Sequence, residues 1–336
     1  MRRIYPSAIA KRLCIYPRLY LDDVKSGMQL TCKQDNTKNI GSNSIILFTC
    51  MRNECMRMEY FYEYYKKLGV DHFIIIDNGS SDGLVDWARR YPDITLFYTE
   101  GSYKKSRFGM LWCNDLLRRF GTGHWCVTVD PDEFLVYPKS ETRDLKALTQ
   151  HLDDEKRPCM HAVMLDAYSD RSLEETTLGP GDNPFEICPY FDRDGYIQTE
   201  GWGGGIWIRG GPRLRTQFSD APWEAPALNK IPLIKWRWYY HYNMSMHDAR
   251  PFFLNKPHAP GRVSITGALF HFKMVSSLAE KAQEELTRGE HYAGSREYIR
   301  YAESRGEKVH AEGISVRYEN SRQLVDLGLM SAATWF

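Results

Sequence analysis

Apolar residues in the first half of the chain form short continuous runs that alternate with longer periodic stretches. The continuous runs lie at 45–48, 72–76, 94–98 and 125–129, and their length and their β-branched or aromatic content predict buried strands. Four strands that alternate with three helices predict an α/β fold, with a mostly parallel central sheet, right-handed crossovers and flanking helices. The periodic residues of the three helices are Met58, Phe61, Tyr62, Tyr65 and Leu68, then Val85, Trp87, Ala88 and Tyr91, then Phe108, Trp112, Leu116 and Phe120.

Turn-forming residues indicate where the first two of these helices begin and end. Asn53 is the predicted N-cap of the first helix, and Gly69 is predicted to close that helix in the left-handed conformation. The polar cluster at 77–83 contains residues that can cap the second helix, and Pro92 is expected to stop it. These signals make each strand–helix unit short and place a polar loop after each strand.

The second half of the chain is less regular, and its length leaves the domain count open. A chain of 336 residues allows either one large domain with extensions or two fused lobes. The predicted elements of this half are strands at 160–165, 185–188, 230–236 and 268–273, a hairpin turn at 192–195, and helices at 278–286 and 298–303.

Glycine is dense between residues 201 and 213, where the sequence is GWGGGIWIRGGPR. Two tight turns explain this composition, because glycine adopts backbone conformations that other residues avoid. Alternatively, the stretch is a mobile loop that closes over a ligand and offers Arg209 and Arg213 to a diphosphate through their planar guanidinium groups.

Polar clusters follow three of the four predicted parallel strands, at 52–54, 77–82 and 130–133. The carboxyl ends of parallel strands meet at one edge of a sheet, and ligands of open α/β sheets bind there. We therefore expect the three loops to converge on one site. The first strand is followed by neither GxGxxG nor GxxxxGK[ST], which disfavours dinucleotide oxidoreductases and P-loop proteins.

The acidic loop HWCVTVDPDEF contains three carboxylates within four residues. Pro131 favours an extended Asp130, and an extended backbone would place Asp130 and Asp132 on one face while Glu133 points away. Two such oxygens form half of a site for Mg²⁺ or Mn²⁺, which prefer carboxylates and leave positions open for phosphate. The alternative is a solvated acidic end of a strand.

Composition and charge exclude several classes of protein. The hydrophobic fraction of 43% and the charged fraction of 26% are those of a globular protein, which excludes global disorder. A net charge of +1 predicts no nucleic-acid partner, because nucleic acid requires a basic face. Any phosphate that binds must therefore be held by local groups.

The cysteines and the hydropathy predict a cytoplasmic protein. None of the eight cysteines forms a CxxC pair and several lie in apolar runs, which favours reduced thiols. No apolar stretch approaches the roughly 18 residues that span a bilayer, and the N-terminus lacks the features of a signal peptide. We expect a protein that is neither exported nor integral to a membrane.

The N-terminal 42 residues carry eight Lys or Arg against three Asp, with apolar and aromatic residues between them. They form either a loosely packed extension or a surface helix on anionic lipid, which would make the protein peripheral on the inner face of the cytoplasmic membrane. We predict four segments: this extension at 1–42, a nucleotide-sugar-binding Rossmann-like half at 43–150, an acceptor-binding half of the same domain at 151–305 and a tail at 306–336.

Five motifs in order carry a resemblance to a known family. They are RNE at 52–54, LGVDHFIIIDNGSSDG at 68–83, DPDEF at 130–134, KIPLIKW at 230–236 and LFHFKMVSSLAEKAQEELTRG at 269–289. Together they resemble the family 2 glycosyltransferases of GT-A fold, in particular the bacterial branch with DNGSxDG and DxDEF. The similarity extends over residues 43–305 and implies a GT-A domain whose second half is irregular and binds the acceptor.

The resemblance implies roles for residues after the first two strands. In such enzymes the loop after the first strand and the aspartate after the second hold the nucleotide. Arg52, Glu54 and Asp77 match these positions, with Asp77 facing the base.

The resemblance also implies a metal site. Asp130 and Asp132 match the pair of aspartates that holds Mn²⁺ or Mg²⁺ on the sugar diphosphate, and Asp132 is expected to be essential for catalysis. A later histidine often completes such a site, for which His271 is the first choice and His247 the second. Either could instead be a hydrogen-bonded histidine of the core.

Basic residues and a general base complete the implied active site. Lys273 and Arg288 lie where basic residues of this branch could steady the diphosphate. The usual acidic motif of the base is not recognisable in this chain. The acidic residues of the second half that could serve are Glu200 and Glu224, with Asp220 and Asp248 as alternatives.

The implied activity is metal-dependent and inverting transfer of a sugar from a nucleotide sugar, with UDP expected by family frequency, to a glycan or lipid-linked acceptor in polysaccharide biosynthesis. Aromatic and basic residues at 236–241 could form a sugar-stacking acceptor wall, or else a buried aromatic strand. Two alternatives are a non-catalytic sugar or nucleotide-binding module on this fold and a nucleotidyltransferase that makes the activated sugar.

Overall fold

The computed structural model describes residues 18–201, 204–243, 245–276 and 308–335. Within these residues, nine strands form one sheet in the order β1-β4-β3-β2-β5-β11-β7-β14-β6. The strands are β1 (Thr31–Gln34), β2 (Ile46–Met51), β3 (His72–Asp77), β4 (Ile94–Tyr98), β5 (Trp125–Thr128), β6 (Glu133–Val136), β7 (Cys159–Asp166), β8 (Tyr190–Asp192), β9 (Ile197–Glu200), β10 (Ile206–Arg209), β11 (Asn229–Lys235), β12 (His241–Tyr242), β13 (Ala249–Arg250), β14 (Gly267–His271) and β15 (Ser315–Arg317).

Helices cover the sheet. The described helices are α1 (residues 18–27), α2 (Cys55–Lys67), α3 (Leu84–Ala88), α4 (Met110–Leu116), α5 (Leu145–Asp154), α6 (Pro184–Ile187), α7 (Gly211–Gln217) and α8 (Ser321–Asp326). A π-helical turn at Leu117–Gly121 continues α4, and short 3₁₀ turns lie at Thr37–Asn39, Pro222–Glu224 and Phe252–Asn255. In the described part of the chain, no helix is long and apolar enough to cross a membrane.

The four predicted parallel strands and the three helices between them are confirmed. β4, β3, β2 and β5 are parallel neighbours, and both faces of these strands are buried. Successive residues of β3 alternate between two apolar clusters: Phe73 and Ile75 pack in one, Ile74 and Ile76 in the other. The fold is therefore a mixed α/β fold that is compatible with a Rossmann-like arrangement.

The predicted strands at 160–165, 230–236 and 268–273 are confirmed as β7, β11 and β14. β11 lies antiparallel between β5 and β7, while β14 runs parallel to β7 and antiparallel to the edge strand β6. This arrangement joins the irregular second half directly to the parallel half. The predicted helices at 278–286 and 298–303 lie outside the described residues.

Two predictions about the second half are wrong. Residues 185–188 belong mostly to the short helix α6, because Asn183 caps it through a hydrogen bond from the Phe185 amide and Pro184 occupies its first turn. Residues 192–195 do not close a hairpin: β8 before them pairs with β15, whereas β9 after them pairs with β10. The turn therefore joins two separate small sheets.

The predicted helix caps are also corrected. Asn53 is not the N-cap of α2, since it lies one residue too early with φ of 52° and its side chain accepts a hydrogen bond from the Ser81 amide. Asp82 does not cap the helix that follows it. Its carboxylate instead accepts a 2.7 Å hydrogen bond from the Cys55 amide, so it caps α2 from the neighbouring loop. Gly69 adopts the predicted left-handed conformation, with φ of 96°.

Both chain ends contribute packing that the hydrophobic pattern does not predict. β1 is an edge strand antiparallel to β4, and Asp23 of α1 is fully buried, with its carboxylate 2.6 Å from Arg118 Nη2 and 3.1 Å from His241 Nδ1. At the other end, the buried Trp335 donates a hydrogen bond to the Pro138 carbonyl. The proposed division into four segments stays a prediction.

Replacing Asp23 by Ala should destabilise the protein by about 3–5 kcal/mol, because Arg118 would be left largely buried without its partner. Asp22→Ala is the matched control: its side chain is 38% exposed and lies 3.9 Å from Arg107, so we expect a change within about 0.5 kcal/mol. Urea unfolding measures both. Equal effects of the two substitutions would contradict the anchoring role of Asp23.

Candidate functional site

The loops after β2 and β3 are bound to each other at the carboxyl edge of the sheet, as predicted from the polar clusters. Arg52 donates hydrogen bonds to the carbonyl oxygens of Asn78 (3.0 Å) and Gly79 (2.7 Å), and the Asn53 amide donates to Ser80 Oγ. Gly79 has φ of 73°, and a Cβ there would lie 2.9 Å from the Arg52 guanidinium. Arg52 thus organises the loop that follows β3.

Asp77 occupies the end of β3 and is fully buried. One carboxylate oxygen accepts a 2.7 Å hydrogen bond from the Ser80 amide. The other oxygen is buried and has no hydrogen-bond partner among the described residues. A buried acceptor in this state costs on the order of 1–3 kcal/mol, which a donor group on a ligand would recover.

Glu54 connects the first loop to the end of β14. Its carboxylate lies 3.1 Å from Arg57 Nε, and Arg57 donates a 3.0 Å hydrogen bond to the Phe272 carbonyl. The Phe272 amide in turn donates to the carbonyl of Asp132. These contacts fix the acidic loop against the first loop across the site.

The acidic loop is a tight turn, and the prediction of an extended backbone is wrong. The Glu133 amide donates a 3.0 Å hydrogen bond to the Asp130 carbonyl, and the Asp130 amide donates to the Glu133 carboxylate. Glu133 therefore points back into the protein, where it is 1% exposed. Pro131 explains the difference, because its fixed φ also suits the second position of a type I turn.

Lys230 is a residue of this site that the sequence analysis missed. Its ammonium nitrogen lies 2.8 Å from Glu133 and 3.6 Å from Asp130, and the side chain is 3% exposed. Burial alone would lower the pKa of Lys230, but Glu133 and Asp130 outweigh burial and raise it. A lysine inside the apolar strand NKIPLIK was the available signal, since a buried lysine requires a charged partner.

A chain of four charged side chains leads from the acidic turn into the protein. His271 Nε2 lies 3.5 Å from the Asp132 carboxylate, and Nδ1 of the same ring lies 2.7 Å from Asp166. Asp166, which is 1% exposed, accepts a 2.7 Å hydrogen bond from Arg213 Nε behind it. Burial would lower the pKa of His271, but the two aspartates raise it to about 9.

The secondary structure of residues 201–213, where it is described, supports one of the two interpretations of this glycine-rich stretch. β9 (197–200) and β10 (206–209) pair as antiparallel strands and Gly211 begins α7, so the described residues support the interpretation as turns between short elements. Arg213 is 3% exposed and bound to Asp166, while Arg209 donates a hydrogen bond to the Ala225 carbonyl. Arg209 therefore lies in β10 and Arg213 in α7, so the alternative of one loop that offers both arginines to a diphosphate is not supported.

The residues at the acidic turn can be compared with the needs of a divalent cation. Within the described ranges, no three His, Cys, Asp or Glu side chains are grouped closely enough to hold a metal ion. Asp132 and His271 nevertheless present an oxygen and a nitrogen 3.5 Å apart. Neighbouring ligands of an octahedral ion with bonds of about 2.1 Å lie roughly 3 Å apart, so this pair fits two positions of one ion.

Asp166 also suits such a site. Metal-binding histidines generally donate their second ring nitrogen to a carboxylate, which fixes the orientation of the ring. Asp166 accepts from Nδ1 and thereby directs Nε2 towards Asp132. Asp130 lies beside Lys230 and not in contact with His271, so the predicted group of Asp130, Asp132 and His271 is only partly brought together.

The other predicted site residues lie in varied surroundings. The surroundings of His247 match the alternative interpretation, a hydrogen-bonded histidine. Its Nδ1 lies 2.7 Å from the Asn229 carbonyl oxygen, and burial and Lys230 lower its pKa to about 3. Lys273 follows β14 by two residues, at the rim of the site. Glu200 ends β9 and Glu224 lies in a 3₁₀ turn, and both are exposed.

The remaining predicted site residues are Asp220, Asp248 and Arg288. Asp220 is exposed after α7, Asp248 accepts a 3.1 Å hydrogen bond from Asn243, and Arg288 lies outside the described residues.

The aromatic segment at 236–241 lies at the opposite edge of the sheet. The Trp236 amide donates to the His124 carbonyl, which precedes β5, whereas Asp130 follows β5. His124 and Asp130 are six residues apart along an extended chain, which corresponds to a distance of about 20 Å. The segment therefore does not form an acceptor wall beside the acidic turn. It is not a buried aromatic strand either: residues 236–240 form a turn in which Trp236 and Tyr240 are buried while Trp238 and Tyr239 are exposed.

A separate cleft of about 480 Å³ opens beside the first loop. Glu59 in its wall already accepts hydrogen bonds from Trp87, Arg90 and Tyr91. The cleft is lined by Asn53, Cys55, Met56, Glu59, Asp82, Trp87, Arg90, Pro180 and Gly181, none of which belongs to the acidic turn.

Comparisons with known proteins add no assignment. No protein-family model matches this chain, and neither does any curated protein. Inferences about its function therefore rest on the motifs and on the geometry of the site.

In the metal-free protein, NMR titration of the imidazole nitrogens should show a pKa of about 9 for His271. Asp166→Asn should lower this pKa, because it removes one of the two charges that favour the imidazolium form. Asp153→Asn, which removes a carboxylate paired with Lys235 on the surface, should leave it unchanged. A wild-type value near 6.5 would contradict the close contact with both aspartates.

Proposed function

We propose that this protein is a GT-A-type glycosyltransferase that moves a sugar from a nucleotide sugar, with UDP as the expected nucleotide, to a glycan or lipid-linked acceptor. The observation that carries the proposal is the Asp132–His271 pair, which lies at the carboxyl edge of the sheet with Asp166 fixing the histidine. The five motifs that resemble family 2 support the same activity. The antiparallel strand β11 brings Lys230 to this edge and joins the second half to β5, which supports an arrangement in which the acceptor half would lie beside a bound donor.

The nucleotide would bind over the loops after β2 and β3. The unpaired oxygen of Asp77 is suited to accept a hydrogen bond from the base, as the resemblance implies. Arg52 would act mainly by holding the backbone at Asn78 and Gly79 in place. The diphosphate would then extend from this loop towards Asp132.

Transfer requires that the acceptor hydroxyl oxygen attack the anomeric carbon while the bond from that carbon to the phosphate oxygen breaks. Negative charge develops on the diphosphate, and groups that stabilise it in the transition state increase the rate. Asp132 and His271 would hold a divalent cation, which neutralises part of that charge. Lys230, paired with Glu133 and Asp130, would add positive charge beneath the same turn, and Lys273 follows β14 by two residues.

A general base must accept the proton of the acceptor hydroxyl in an inverting reaction. Glu200 and Glu224 remain the proposed bases. Both side chains are exposed. Both residues belong to the second half of the chain, where Glu200 precedes α7 and Glu224 follows it. An acceptor that contacts either residue would be held by the second half while the donor is held by the parallel half.

Incubation of the purified protein with Mn²⁺ and a panel of nucleotide sugars should release free sugar from at least one of them, as read by mass spectrometry. Asp132→Ala should abolish this hydrolysis, because the cation loses a ligand at the leaving group. The control variant Asp86→Ala lacks an 81% exposed carboxylate on α3, and it should hydrolyse the same nucleotide sugar at the wild-type rate.

Calorimetry with UDP and Mn²⁺ separates binding from turnover. Asp132→Ala should lower the metal-dependent affinity without changing the thermal stability by more than about 1 kcal/mol, because the side chain is partly exposed at a turn. Unchanged metal-dependent binding in this variant would contradict the assignment of Asp132. Metal-dependent binding by the wild type without hydrolysis of any sugar would favour the non-catalytic module.

A further inference from the structure

The edge of the sheet opposite the acidic turn carries an exposed aromatic surface. Its members come from three separate parts of the chain: α1, the segment after β11 and the 3₁₀ turn after β13. They are Tyr20 (45% exposed), Leu21 (53%), Trp238 (63%), Tyr239 (38%) and Phe253 (48%). We call these five residues the aromatic face.

The members of the aromatic face are connected through direct contacts. The Arg118 guanidinium lies 4.6 Å from the ring centre of Tyr20, and its Nε donates a 3.1 Å hydrogen bond to the Trp238 carbonyl. From Trp238, rings follow one another through Tyr239 and Tyr240 to Phe253 at centroid distances of 5.6, 4.9 and 6.1 Å. Contacts through Arg118 and the buried Tyr240 therefore link Tyr20, Trp238, Tyr239 and Phe253, and Leu21 follows Tyr20 on α1.

Buried contacts beneath the aromatic face hold it in shape. Arg118 is bound to Asp23 at 2.6 Å, and the same carboxylate lies 3.1 Å from His241, which follows Tyr240. These side chains fasten α1 to the segment after β11. A backbone that is fixed in this way does not have to be ordered when the exposed rings meet a partner, which lowers the entropic cost of binding.

The charges around the aromatic face are mainly basic. Arg18 and Lys25 of α1 and Arg237 beside Trp238 are exposed. Exposed Trp and Tyr side chains with nearby basic residues are the combination that favours the boundary between lipid headgroups and acyl chains.

We propose that the aromatic face docks on the surface of an anionic lipid bilayer. Trp238, Tyr239 and Tyr20 would insert at headgroup depth, and the exposed Arg18, Lys25 and Arg237 would be attracted by the negative lipids. The acidic turn lies about 20 Å away at the other edge of the sheet, so it would remain open to the aqueous phase. The proposal does not depend on the transferase activity.

The test is sedimentation of the full chain with vesicles at low salt. The protein should sediment with vesicles of phosphatidylcholine and phosphatidylglycerol at 3:1, and less with phosphatidylcholine alone. The double substitution Trp238→Ala and Tyr239→Ala should weaken binding roughly tenfold, since a loss of about 1.4 kcal/mol corresponds to that factor. Trp223→Ala is the matched control. Trp223 is 70% exposed, but it lies before the start of β11, whereas Trp238 and Tyr239 follow the end of that strand.

Charge reversal tests the contribution of the basic residues. Arg18→Glu combined with Lys25→Glu should weaken sedimentation further, because both side chains are exposed on α1 and would then repel anionic lipid. Circular dichroism checks that each variant is folded. Wild-type binding by the folded double variant, or no sedimentation of the wild type with anionic vesicles, would overturn the proposal. Concentration-dependent self-association that the double variant abolishes would also overturn it, by assigning the aromatic face to a second copy.

Discussion

The arrangement of the site depends on the buried ion chain that links Asp132, His271, Asp166 and Arg213. These residues come from the acidic turn, β14, β7 and α7, so the chain joins the parallel half of the fold to the second half. A charge buried without a partner costs several kcal/mol, and each member therefore requires the next. The position of α7 relative to the sheet and the orientation of His271 are set by the same contacts.

One end of the sheet carries the charged acidic turn, and the opposite end carries exposed aromatic residues. Strand β11 runs from the first end to the second and contributes residues to both. Lys230 near its start reaches the acidic turn, while Lys235 at its end pairs with Trp125 at the beginning of β5. The chain then continues into the exposed Trp238 and Tyr239. Charged groups that could act on a phosphorylated ligand are thereby separated from the aromatic face by the length of a strand.

The sequence predicts local structure better than it predicts contacts between distant residues. The buried strands β2, β3, β4 and β5 were predictable because continuous apolar runs reflect burial on both faces. The turn at Asp130 was not, because Pro131 is compatible with both an extended chain and a turn. The partners of Lys230 and Arg213 were not predictable either, since pairing of buried charges depends on how β11 and α7 meet the sheet. Asp132 and His271 were singled out through the resemblance; the structure places them 3.5 Å apart, and their role in metal binding stays a prediction.

The most direct test of the central claim is a crystal structure of the full chain with UDP and Mn²⁺, with the ion located by its anomalous scattering. We predict an anomalous peak within coordination distance of an Asp132 carboxylate oxygen and of His271 Nε2, with Asp166 still accepting from Nδ1 and the uracil over Asp77. A manganese ion bound elsewhere, or UDP bound with Asp132 and His271 still paired to each other and no ion between them, would contradict the account.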